Sequence, residues 1–84
     1  MENITLDKLP LDTEGKIQGF HCSGNIRRRL LDLGLVKNTS ITPVFISASG
    51  DPTAFEVRNT LIAIRQEDSC LIDVKLWFYT NFMV

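Results

Sequence analysis

Residues 25–35 read NIRRRLLDLGL, in which three consecutive arginines run into a leucine-rich segment that closes on a glycine. At about 100° per residue, Ile26, Leu30 and Leu33 fall on one helical face, whereas Arg28 and Asp32 point the opposite way. Ser23 or Asn25 offers an N-cap oxygen, and Gly34 stands where a left-handed C-terminal residue belongs. The spacing predicts one short amphipathic helix over about residues 25–33. A helix of two to three turns is not stable alone, so its apolar stripe must lie on another surface.

The rest of the chain supplies that surface as strands. From Thr39 onward SITPVFIS, FEVR, LIAIR and LIDVKLWFY are rich in β-branched and aromatic residues, the signature of extended structure. Ahead of the helix, KIQGFHC carries Ile17 and Phe20 in a first strand. The opening ITLDKLPLDTEG reads as an irregular entry with Leu6, Leu9 and Leu11 as core anchors. Pro43 has no N–H to give a ladder, so its strand is expected at an edge or bulged. Ser49-Gly50-Asp51-Pro52 marks a turn, and Arg58-Asn59-Thr60 a tight hairpin, because asparagine tolerates positive φ. RQEDSC leaves room for a one-turn helix near 66–70. These elements describe a mainly β fold: a small closed or partly closed barrel with one short helix.

Eighty-four residues make a single domain, 1–84. Nine Lys+Arg against ten Asp+Glu give no basic surplus for binding nucleic acid through phosphate neutralisation. The arginines are therefore a local patch. Two cysteines are too few for a disulfide framework, and no apolar targeting segment follows Met1. The expected location is cytoplasmic, with membrane association only through a partner. The most apolar run, LWFYTNFMV, falls short of the roughly 20 residues of a membrane helix. A lone histidine without a nucleophile and orienting acid is no triad, and no glycine-rich phosphate loop ends in Lys-Ser/Thr. The chain does not read as an enzyme.

The order RRRLLDLGL, then GDP in a loop, then IAIR, an acidic turn and LIDV resembles the FeoA family from about Leu6 to Val74. That resemblance implies an SH3-like barrel, similar to the C-terminal domains of metal-dependent repressors, in a small cytoplasmic protein associated with ferrous iron transport. Where family members often carry glycine, this chain has Asp12, Asn38 and Asn59, the side chains that best tolerate left-handed turns. Residues 75–84, an aromatic extension, lie beyond the resemblance.

Candidate sites follow. His21, Cys22, Cys70, Glu67 and Asp68 are the available ligands for a divalent transition metal such as Fe²⁺, although neighbours on a strand point to opposite faces. Around the helix Arg28 points outward and is four residues from Asp32, a pairing distance. Arg27 and Arg29 flank the apolar stripe and lay their stems over it. Leu31 lies about 140° from Ile26, beside Arg27, where it is either capped or exposed. The resemblance implies a ferrous iron transporter of the FeoB type as partner, and Arg27, Arg28 and Leu31 are the expected contact with its cytoplasmic part. Trp77, Phe78, Tyr79 and Phe82 either seal the barrel or form a patch for homo-oligomers. Two other readings are a transition-metal-binding sensor module and an SH3-like peptide-binding adaptor.

Overall fold

The computed structural model describes residues 3–76; the aromatic cluster Trp77, Phe78, Tyr79 and Phe82 lies outside the described residues. Along the chain come β1 (Asn3–Thr5), a single 3₁₀ turn (Leu6–Lys8), β2 (Gly15–Phe20) and α1 (Gly24–Asp32), followed by β3 (Ser40–Ile46), β4 (Thr53–Val57), β5 (Thr60–Ile64), α2 (Gln66–Ser69) and β6 (Ile72–Leu76). The strands form one antiparallel sheet in the order β1-β6-β2-β3-β4-β5. It curls into a partly closed barrel.

Two irregularities produce the curl. In β2 the register with β6 shifts between Ile17 and Gly19, and in β3 the register with β4 shifts between Pro43 and Phe45. Bulges of this kind bend a strand and increase its twist. Pro43 thus sits in an interior strand by virtue of the bulge, and its carbonyl accepts the Asp12 N–H at 2.7 Å. β2 pairs with β6 along most of its length but with β3 only through Gly15 and Lys16. Beyond that point Ile17 turns to the loop instead, donating to the Thr39 carbonyl at 3.0 Å and accepting from Asn38 N–H at 2.7 Å.

The turn residues behave as their chemistry requires. Asp12, Asn38 and Asn59 all have positive φ, at 64°, 73° and 66°. The β4–β5 hairpin also places Arg58 at φ 52°, and a two-residue loop with both residues left-handed matches the right-handed twist of the strands. Arginine is not a residue type that favours this left-handed conformation. Its reason lies in the contacts described below.

Leu6, Ile17, Leu30, Leu35, Ile41, Phe55, Ile72 and Val74 make the centre of the core. Three expected anchors do not join it: Leu11, Ile26 and Leu33 are 45%, 39% and 44% exposed. Within α1 only Leu30 is buried. After the helix, Gly34 turns the chain at φ 92°, Leu35 N–H donates back to the Leu30 carbonyl at 3.2 Å, and its side chain is fully buried. Leu30 and Leu35 are thus the leucines of this segment that join the core. β1, read from sequence as irregular entry, is three residues long, and its pairing of Ile4 with Val74 is entirely non-local. Its two β-branched residues, Ile4 and Thr5, are too short a run to announce a strand by themselves.

Truncation should expose this asymmetry. Leu30→Ala is expected to cost about 2–5 kcal/mol, while Leu33→Ala, at the C-cap of the same helix, should stay within about 0.5 kcal/mol. Urea unfolding followed by circular dichroism would compare them; equal losses would contradict the seating of α1 on Leu30.

Candidate functional site

The three arginines of α1 take three different partners. Arg29 Nη2 meets Asp68 Oδ2 at 3.0 Å, joining the last turn of α1 to α2. Arg27 holds its guanidinium carbon 5.6 Å from the centre of the Phe20 ring, a cation–π geometry. Arg28 is exposed, and among the described residues no carboxylate lies within ion-pair distance of it. The expected pairing of Arg28 with Asp32 is therefore not made. Four residues on a helix allow such a pair but reward it with only about 0.2–0.5 kcal/mol, little against the freedom of two exposed side chains.

Leu31 is half-buried and, with Arg27, Arg28, Asn25, Gly24 and Asp32, lines a shallow groove of about 370 Å³. An apolar floor is thus bordered by one arginine already stacked on Phe20 and one with no internal partner. Leu31 is neither fully capped nor fully exposed, and it lies in the groove beside both.

A contact just beyond the C-terminal end of the helix ties down the chain that leaves it. Arg58 Nη1 donates to the Gly34 carbonyl at 3.0 Å and its Nη2 to Thr39 Oγ1 at 3.2 Å. The guanidinium covers Gly34 so closely that a Cβ added there would lie 2.7 Å from Nη1. Glycine is favoured at 34 by its backbone conformation, at φ 92°, while a Cβ there would only push aside the flexible end of Arg58 and break its bond to the Gly34 carbonyl. Arg58 carries out the duty that lysine or arginine near a helix C-terminus normally performs, but from a distant hairpin. Sequence reading missed Arg58, Phe20 and Asp73 because each acts through non-local pairing; the cue for Arg58 was its place in a tight turn that otherwise favours glycine or asparagine.

Of the metal-ligand candidates, His21, Asp68 and Cys70 make separate contacts and Glu67 takes part through its main-chain carbonyl. His21 Nε2 lies 2.8 Å from Asp73 Oδ2, Asp68 holds Arg29, and Cys70 Sγ rests 3.4 Å from the Glu67 carbonyl. Cys22 packs against the core, and both cysteines are free thiols. Among the described residues no three His, Cys, Asp or Glu side chains come together as a metal-binding group. In the same residues, no helix is long and apolar enough to cross a membrane.

A six-stranded, partly closed antiparallel barrel carrying one short helix defines an SH3-like domain, and solved structures bear this out. A Stenotrophomonas maltophilia FeoA complexed with zinc, described as a prokaryotic SH3 domain protein and candidate ferrous iron transport activating factor, is 30% identical with a TM-score of 0.75, covering 86% of this chain and 89% of its own. The family model for the FeoA domain matches residues 4–76, and the chain belongs to the FeoA family. Iron(II) transport protein A of Clostridium thermocellum is 26% identical with a TM-score of 0.82 over 87% of this chain, which spans only 45% of that protein. An FeoA-like protein of Clostridium acetobutylicum shares the fold at 24% identity and a TM-score of 0.84, covering 94% and 92% of the two chains. Among curated proteins none matches. The family is associated with ferrous iron transport, as an accessory component.

Removing the Arg58 contact tests how α1 is seated. Arg58→Ala is expected to cost about 1 kcal/mol, with faster hydrogen exchange at Leu33 and Leu35 than in the sheet. Uniform acceleration across all strands would show that the hairpin does not act on the helix end.

Proposed function

We propose that this protein is a non-enzymatic regulatory subunit of ferrous iron uptake that docks the Arg27–Arg28–Leu31 face of α1 on the cytoplasmic part of a FeoB-type transporter. The observation that carries the reading is Arg28. It is a guanidinium with no carboxylate partner among the described residues, beside a half-buried leucine at the floor of an open groove. Arginine and leucine so placed give a partner an apolar anchor and a charge-assisted hydrogen bond at one point. Arg27 is held in position by Phe20, which reduces the side-chain entropy lost on contact.

Docking acts by differential binding. A subunit that fits one conformation of the transporter better than another shifts its equilibrium by the difference in affinity. The reading needs no ion to pass through this chain. Its support is the geometry of the face together with membership of a family associated with ferrous iron transport.

The test is a pull-down on the cytoplasmic domain of the transporter, comparing wild type with Arg27→Glu/Arg28→Glu. The double variant should fold normally, since both side chains are exposed, and should bind at least about tenfold more weakly. Undiminished capture by a folded double variant would remove α1 from the mechanism.

A further inference from the structure

Away from the arginine face, a second cavity of about 270 Å³ opens beside the 3₁₀ turn, the bulged part of β3, the 50–51 loop and the start of α2. Its floor is apolar, formed by the buried Leu6, Leu9, Pro43 and Phe55, and its rim carries Leu11 and Ile46, 45% and 50% exposed. One end is different. There Asp7 and Asp51 line the cavity next to Gln66.

The two carboxylates are unevenly satisfied. Asp51 Oδ1 accepts the backbone N–H of Gln66 at 2.8 Å, and Asp7 Oδ2 accepts Gln66 Nε2 at 3.1 Å. Asp7 Oδ1 is buried and has no donor among the described residues. A buried carboxylate oxygen without a donor is costly, and it marks a place where a donor from outside would be rewarded. Arg65 does not meet that need, because it is directed at Asp51 Oδ2 from 3.9 Å with its own side chain 64% exposed.

We propose that this cavity receives a lysine side chain presented by a polypeptide partner, its methylenes on Leu6, Leu9, Pro43 and Phe55 and its ammonium on Asp7. The charge complementarity selects a cation, and the apolar floor selects one carried on a hydrocarbon stem. Between the two basic side chains, the vacancy favours the ammonium. The vacancy is a single oxygen, Asp7 Oδ1, which a compact ammonium meets as a point charge, whereas a guanidinium fork would have to share Oδ2 with Gln66 Nε2. The χ2 torsion of aspartate is broad, so the carboxylate turns toward an incoming donor at small cost. The site is independent of the α1 face and stands whether or not that face docks on a transporter.

Two peptides decide the matter: acetyl-Leu-Lys-Leu-amide and the same peptide with norleucine in place of lysine, titrated into ¹⁵N-labelled full-length protein. The lysine peptide should produce saturable shifts at the amides of Asp7, Leu9, Phe55 and Gln66, and the norleucine peptide should bind about tenfold more weakly. In Asp7→Asn the difference between the peptides should vanish while binding of the norleucine peptide is unchanged. Absence of shifts at those amides with the lysine peptide would overturn the proposal. So would equal affinity for both peptides, which would leave only an apolar groove, or an undiminished lysine preference in a folded Asp7→Asn. The wild-type comparison stands by itself if that variant fails to fold.

Discussion

Ile17 is the residue on which the two parts of the barrel close. Its side chain is fully buried and faces Val74 of β6, while its main chain gives and receives hydrogen bonds with residues 38 and 39. One residue thus bonds the loop after α1 and faces the last strand at the same time. β2 lies between β6 and β3, paired with β6 from Gly15 to Phe20 but with β3 only at Gly15 and Lys16, and the bulge after Ile17 falls where β6 is its remaining partner. A bulge there bends the strand and increases its twist. The Ile17 main chain then bonds the loop that follows α1, which ties that loop to the sheet.

Much of this architecture was written in local chemistry. The strands after Thr39 were visible as runs of β-branched residues, the short α2 in RQEDSC, and the left-handed turns in Asp12, Asn38 and Asn59. Pro43 announced its own bulge, since a residue without an N–H cannot sit regularly inside a sheet. What remained hidden depends on partners far away in the chain. β1 exists because Ile4 has Val74 to pair with, and Leu35, beyond the turn at Gly34, is buried where Ile26 and Leu33 are exposed. A helical projection assigns faces to a helix but cannot say how much of a face a neighbouring loop will take.

The candidate site was legible to a similar depth. Helical spacing put Arg28 on the outward face, where it is exposed, and Leu31 off the main stripe, where it is half-buried, but of the stripe itself only Leu30 is buried, with Ile26 and Leu33 exposed. It could not see that Arg29 belongs to Asp68 or Arg27 to Phe20, because those partners come from other elements. The block of three arginines is therefore one structural tie, one stacked cation and one outward charge. Only the last two border the groove.

The Arg58 contact has a further consequence, for the response to electrolytes. It joins a guanidinium to a carbonyl and a hydroxyl, so no second formal charge is available for salt to screen. An Arg28 contact with an anionic partner at the exposed helix face would, by contrast, weaken over a Debye length of about 8 Å at physiological ionic strength. The Arg58 hydrogen bonds at the helix end would persist as salt rises, whereas the exposed Arg29–Asp68 pair, and any contact that Arg28 made with an anionic partner, would weaken.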